Sequence, residues 1–255
     1  GSVDSELSFI LFEKQSGERC YLISYSAHPT IFSDDMMQFS AEYPGELRRY
    51  IEGQDTKPAA VYLGGAVGSM GPKAPPGDTP DERVIAMGQA LAKLVLENSS
   101  DLEFSDKADI ASVGVALGMP PMQVRPISTG WRLSPNIASI AGLSKEGWIH
   151  GVRLGDTLFM GMPCDFSGEI SREWKAWSEV RDIDLWCLSF CSTYCGYFSP
   201  DRYYLEEPLE YEMGLMNWYG PNVEAYFTAL FHDVVDALQF DGASASTSDP
   251  ASANE

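Results

Sequence analysis

Residues 60–72 read Ala60-Val61-Tyr62-Leu63-Gly64-Gly65-Ala66-Val67-Gly68-Ser69-Met70-Gly71-Pro72. The opening apolar run is short and bounded by glycines, which suits a buried strand better than a helix. The glycine-rich stretch turns the chain, a proline-rich loop follows, and residues 80–97 carry the apolar spacing of a helix. Strand, tight loop and helix in that order are the unit from which α/β folds are built.

Working outward, residues 9–12 and 20–25 are β-prone runs around Gln15-Ser16-Gly17-Glu18, a polar, glycine-containing turn that makes them a hairpin. Residues 40–52 predict a helix with Leu47, Tyr50 and Ile51 on one face, and Pro44 sets its firm start near Tyr43. Further strands are predicted at 110–116, 123–127, 148–154, 157–160 and 183–190, with Gly155-Asp156 turning the third into the fourth. Phe166, Ile170, Trp174 and Trp177 share a face of a helix over 166–180. Val223, Tyr226, Phe227, Leu230, Phe231, Val234, Val235 and Leu238 form the apolar stripe of a closing helix. The pattern predicts an α/β fold, a mixed β-sheet with flanking helices, over residues 6–240. Residues 1–5 read as an irregular tag remnant, Gly1-Ser2 resembling an expression scar, and the Ser- and Ala-rich 241–255 as a disordered tail.

The charge balance excludes one class of partner. With 37 acidic and 17 basic side chains among 255 residues the formal charge is −20, and no basic cluster offers a site for a nucleic-acid backbone. No apolar run approaches the roughly 20 residues that a membrane-spanning helix needs. Five cysteines (Cys20, Cys164, Cys187, Cys191, Cys195) are an odd number in a chain long enough to bury a core. They read mainly as small buried hydrophobes, at least one of them unpaired within the chain.

Three histidines bound the imidazole chemistry. His232 lies off the apolar stripe beside Asp233 and Asp236 and reads as a solvated helix surface; His150 sits in a strand and reads as a structural histidine. His28 differs, because it ends a strand in Ala27-His28-Pro29-Thr30, where Pro29 imposes an extended backbone at the kind of strand end where ligands gather. Asp165, in Gly161-Met162-Pro163-Cys164-Asp165-Phe166, is either a helix N-cap or a functional carboxylate, and local sequence favours the cap. Tyr194-Cys195-Gly196-Tyr197-Phe198-Ser199-Pro200 and Tyr211-Glu212-Met213-Gly214 follow; aromatic residues at a strand edge usually belong to a core.

Taken in order, these segments resemble the neutral/alkaline ceramidases, a family of zinc amidohydrolases, across most of residues 6–240. The matching pieces are Ala27-His28-Pro29-Thr30, Ser40-Ala41-Glu42-Tyr43-Pro44-Gly45 (usually Ser-Ala-Asp-Tyr-Pro-Gly) and the glycine-rich loop 64–72 (usually Gly-Asp-x-x-Pro). Met162-Pro163-Cys164-Asp165-Phe166 (usually Pro-Gly-Glu-Phe), Cys195-Gly196-Tyr197 and Tyr211-Glu212-Met213-Gly214 complete the set.

The resemblance implies the C-terminal part of a ceramidase-like hydrolase domain. It implies Zn²⁺ held by His28, by Asp165 at the family's glutamate position, and by Tyr197, with Tyr211 as the catalytic tyrosine that stabilises an oxyanion. Ser69 and Gly71 fall in the loop bordering the substrate, where the family carries a carboxylate and a hydroxyl. The implied reaction is hydrolysis of an N-acyl amide, ceramide or a related small-molecule or lipid amide, through a zinc-activated water. The family's first zinc histidine has no counterpart here, so the N-terminal half of the same polypeptide or a partner chain is implied to complete the site. A secreted, periplasmic or membrane-surface location is implied too. The alternative is a catalytically impaired relative that binds carbohydrate or protein through exposed aromatics such as Trp218 and Tyr219, with Asp165 capping its helix and Tyr197 packed away from His28.

Overall fold

The computed structural model describes residues 2–140, 146–206 and 208–240; the tail predicted at 241–255 lies outside them. Alternating apolar residues pair β1 (Leu7–Glu13) antiparallel to β2 (Arg19–Tyr25), and Gly17 closes their turn at a φ of 85° that a side chain would resist. The chain then crosses over through α1 (Glu42–Glu52) to lay β3 (Ala59–Gly64) parallel to β2, a connection long enough for parallel pairing.

α2 (Pro80–Asn98) begins on a capping box: Glu82 N–H donates to Thr79 Oγ1 at 3.2 Å while Thr79 N–H donates to the Glu82 carboxylate at 3.3 Å. Its face of Val84, Met87, Leu91 and Val95 meets Leu47 and Ile51 of α1 and Ile23 of β2 in one buried cluster. The two helices approach closely at Gly88, where a Cβ would lie 2.7 Å from the Tyr43 carbonyl oxygen and 2.8 Å from the Leu47 nitrogen.

A second sheet follows. β4 (Ile110–Gly118) leads through α3 (Pro135–Ile140) to β5 (Glu146–Leu154) and β6 (Thr157–Gly161). Next come the two-residue β7 (Asp165–Phe166), α4 (Gly168–Glu179), β8 (Asp184–Leu188) and β9 (Tyr197–Phe198). The order is β4-β5-β6-β8, antiparallel except for the β6–β8 pair, and β7 pairs parallel with β9 alone. The expected mixed sheet is thus two mixed sheets; at their junction Ser189 N–H, just past β8, donates to the Gly64 carbonyl at 3.0 Å. α4 and α5 (Val223–Ala237) cover the second sheet with aromatic faces, Trp174 stacking on Phe231 at 4.5 Å and Phe198 meeting Phe227 edge-on at 4.2 Å.

Two elements depart from the sequence reading. Residues 123–127 form no strand: Gln123 and Arg125 donate to the Trp218 carbonyl in a turn and the Gly214 carbonyl in a short helical segment, and Pro121 before them and Pro126 among them have no N–H to extend a ladder. Phe166 belongs to β7, so α4 starts two residues later, at Gly168. Residues 2–5 lack regular structure, but Asp4 is buried, accepting from Ser171 Oγ at 2.8 Å and pairing with Lys175 Nζ at 2.9 Å. No helix among the described residues is long and apolar enough to cross a membrane.

Because the obstruction at Gly88 is backbone, a methyl there must push α1 away from α2. We expect Gly88→Ala to destabilise the fold by roughly 1–2 kcal/mol, overpacking outweighing the gain in helix propensity, as read from the midpoint of urea unfolding.

Candidate active site at the carboxyl ends of the strands

β2 and β3 run parallel, as do β6 and β8, and the loops leaving their carboxyl ends converge, the usual location of a site in an open α/β sheet. After β2 the chain extends into His28-Pro29, and His28 N–H donates to the Met70 carbonyl at 2.8 Å, which ties this turn to the glycine-rich loop. That loop lies directly on β7. A Cβ on Gly68 would sit 2.3 Å from the Asp165 carbonyl oxygen, so the approach is possible only for glycine. Ser69 Oγ accepts from Gly168 N–H at 2.9 Å, which fastens the same loop to the start of α4.

β7 is held from both sides. Asp165 N–H donates to Gly196 O at 3.0 Å and Phe166 N–H donates to Ser189 Oγ at 3.1 Å. In the parallel register Asp165 stands opposite Tyr197. The result is a buried acid beside an imidazole: Asp165 is 2% exposed, and its Oδ1 lies 3.4 Å from His28 Nε2. Asp165 Oδ2 accepts from the Tyr194 hydroxyl, whereas Asp165 Oδ1 and His28 Nδ1 are buried without a hydrogen-bond partner. A buried acceptor left unmatched costs about 1–3 kcal/mol, more when charged. An unpaired oxygen facing an imidazole is therefore the arrangement expected where a cation is to be held.

His28, Ser69, Gly71 and Tyr197 line one cavity of about 740 Å³, with Glu169 and Glu212 on the same wall. Asp165 lies beneath that surface, against His28. Burial, reinforced by the charges of Asp165 and Glu212, raises the Tyr197 phenol above its ordinary value, so it stays protonated at neutral pH unless a cation is present. Tyr211 precedes a π-helix, Glu212–Met216, whose Glu212 and Met213 line the cavity; its own side chain is 63% exposed. Gly71 faces open space, and the Ser69 oxygen is engaged with α4. Imidazole, carboxylate and phenolate are donor types suited to Zn²⁺, and the orphaned Asp165 Oδ1, 3.4 Å from His28 Nε2, fits such a group. Among the described residues no cluster of three or more His, Cys, Asp or Glu side chains forms a metal site. A His–Asp pair completed by a tyrosine lies outside that residue set.

The N-cap reading of Asp165 is overturned. Ser167 caps α4, its side-chain oxygen accepting from Glu169 N–H at 3.2 Å, because the two-residue β7 separates Asp165 from the helix. His150 is exposed on β5 and stacks against Trp148. His232 is half-buried rather than solvated: its ring stacks on Trp177 at 4.4 Å, and burial, then Arg181, lowers its pKa. All five cysteines are free, with Cys164, Cys187 and Cys195 buried. Tyr194 is the residue the sequence reading left among core aromatics. Its signal was its place three residues before Tyr197 around Gly196, whose φ of 80° turns the chain so that Asp165 meets both segments.

No protein-family model matches the chain, and no curated relative matches it. Among solved structures, the neutral ceramidase from Pseudomonas aeruginosa superposes with a TM-score of 0.70 at 18% identity, over 92% of this chain and 47% of that one. A structure described as ceramidase complexed with C2 gives a TM-score of 0.72 at 17% identity, over 92% of this chain and 48% of that one. The chain therefore shares the α/β fold of these hydrolases, mixed sheets with flanking helices, and spans about half the length of each.

Gly68 tests whether the loop's approach to β7 matters. We expect Gly68→Ala to lower stability by about 1–3 kcal/mol in thermal or urea unfolding, since the colliding atoms are backbone and cannot rotate aside. Gly71→Ala, with nothing within 4 Å of its added methyl, should stay within about 0.5 kcal/mol of wild type.

Proposed function

We propose that this chain is part of a zinc-dependent amidohydrolase of neutral ceramidase type, which hydrolyses the N-acyl amide of ceramide or a related lipid. The observation that carries the reading is the buried Asp165 carboxylate, one oxygen partnerless and 3.4 Å from His28, at the wall of a cavity that Tyr197 also lines. The fold shared with a neutral ceramidase supports it.

In this reading His28, Asp165 and Tyr197 hold the metal, and the donors still needed come from the N-terminal half of the same polypeptide or from a partner chain. Zinc, when bound, lowers the pKa of a water and polarises the amide carbonyl. The chain's own residues do the rest. His28 offers an imidazole lone pair, and Asp165 supplies a carboxylate buried where water does not screen it. Tyr211, exposed on the segment that borders the cavity, donates its hydroxyl proton in a hydrogen bond to the carbonyl oxygen as negative charge develops there. Hydrolysis breaks the C–N bond, the water giving its hydroxyl to the acyl carbon and a proton to the leaving nitrogen. Among the described residues Glu169, Glu206, Glu210 and Glu212 line the cavity and no Lys or Arg does, Arg202 pairing with Glu169 from outside the lining, which admits a neutral amide and disfavours an anionic one.

The binding-module reading rested on Trp218 and Tyr219 being exposed and on Asp165 capping its helix, and the structure departs from it on these points. Tyr219 is 5% exposed, and the Trp218 indole N–H donates to the Leu215 carbonyl at 3.0 Å. Neither ring is thus fully exposed as that reading expected, although Trp218 is half-buried and Tyr219 lines a surface pocket beside Pro120 and Gln123.

Elemental analysis of the full-length polypeptide, with amide hydrolysis assayed before and after chelation and zinc restoration, tests the proposal; a metal-free protein that is fully active rejects it. His28→Ala should abolish zinc uptake while shifting the unfolding midpoint little, because the ring is 28% exposed and one of its nitrogens has no partner. Tyr211→Phe should retain zinc and lower kcat about 100-fold, the ~3 kcal/mol typical of one oxyanion donor.

A further inference from the structure

The Tyr194 side chain touches Asp165 but does not belong to the proposed set of metal donors. It is nonetheless held as firmly as they are. Phe190, Cys191 and Cys195 N–H groups donate to the carbonyls of Cys164, Met162 and Pro163 at 3.2, 2.8 and 2.6 Å, which laces the loop carrying Tyr194 onto the segment carrying Asp165. The Tyr194 ring meets Trp218 edge-to-face at 5.5 Å and Phe190 at 6.3 Å, and Phe190 in turn meets His28 at 6.0 Å. Backbone bonds and ring contacts thus fix where its hydroxyl points, and it points at Asp165 Oδ2.

We infer that Tyr194 is a positioning residue that occupies Asp165 Oδ2 and so leaves Oδ1, the oxygen facing His28, as the one presented to the metal. This rests on the zinc reading above. A carboxylate has two equivalent oxygens and rotates about its terminal torsion. A hydroxyl donor fixed on one oxygen removes that freedom and defines which oxygen binds. Outer-shell partners of this kind typically alter metal affinity 10- to 100-fold.

The test is zinc affinity, measured on the full-length polypeptide by competition with a chromophoric chelator well below the melting temperature, together with the visible spectrum of the cobalt-substituted protein. Tyr194→Phe keeps the ring and removes only the hydroxyl; it should weaken zinc binding 10- to 100-fold and alter the cobalt bands. Tyr203→Phe is the matched control, since Tyr203 donates at 2.6 Å to Glu169, a cavity acid outside the proposed donor set, and its zinc affinity should stay within twofold of wild type. A Tyr194→Phe protein that melts earlier but binds zinc and cobalt as wild type does has lost only a structural contact, and the inference falls. Equal weakening in both variants overturns it as well. A wild type that takes up no zinc removes the metal reading itself, an outcome distinct from a wild type that binds and a Tyr194→Phe that binds equally.

Discussion

Two hydrophobic cores in this molecule are joined by polar contacts, first among them that of the glycine-rich loop with the Asp165 backbone. The first core lies between β1–β3 and the pair α1, α2; the second lies between β4, β5, β6, β8 and the pair α4, α5. The sheets share no continuous ladder. What joins them is a short set of directed bonds: Gly64 to Ser189, Ser69 to Gly168, Val67 to Ser189, and the close approach of Gly68 to Asp165. Apolar burial is non-directional: it holds each half together but does not by itself fix one half against the other. The hydrogen bonds do, and Asp165 sits at their centre.

The same logic explains a second polar cluster. Lys175 on α4 reaches Asp4, which also takes bonds from Ser26 after β2 and from Ser171 on α4. A buried ion pair contributes little net stability, because desolvation offsets much of its attraction. Breaking one is costly, however, since it strands a charge in the interior. Such a cluster therefore specifies how β2 and α4 are arranged more than it strengthens either.

The elements were legible where their cause is local. The apolar spacing over residues 80–97 announces α2, Gly155-Asp156 announces the β5–β6 turn, and the stripe from Val223 announces α5. Failures occurred where the decisive partner is distant in sequence. Residues 123–127 have the composition of a strand, but their N–H groups face Gly214 and Trp218 rather than a neighbouring ladder. Asp165 looked like a cap because a helix follows it; the pairing with Gly196 and Tyr197 that draws it away from the helix is thirty residues off. His28 was singled out for its proline and its strand end, both local features. Tyr194 was not, because the four-residue stretch from Tyr194 to Tyr197 acquires meaning only once β7 lies beside it. Nothing in the sequence announced that the fold divides into two sheets, since the break is set by which strand edges meet at Gly64 and Ser189.

The aspartate itself follows from this geometry. Its carboxyl reaches one methylene less far than a glutamate would, a difference of over an ångström if the backbone stayed in place. Here the backbone is pressed close, with Gly68 beneath it and β9 beside it, so the shorter side chain still brings an oxygen to 3.4 Å from His28. On the proposed reading, a longer acid on the same backbone would carry that oxygen past the imidazole and would lose the Tyr194 hydroxyl as well. The short acid, the close glycine and the tyrosine behind it then act as one unit: the glycine sets how near the backbone lies, the aspartate spans what remains, and the tyrosine decides which oxygen faces out. Glu206, Glu210 and Glu212 also line that cavity, where Glu169 is paired with Arg202, and a divalent cation held by Asp165 would offset part of the negative charge gathered there.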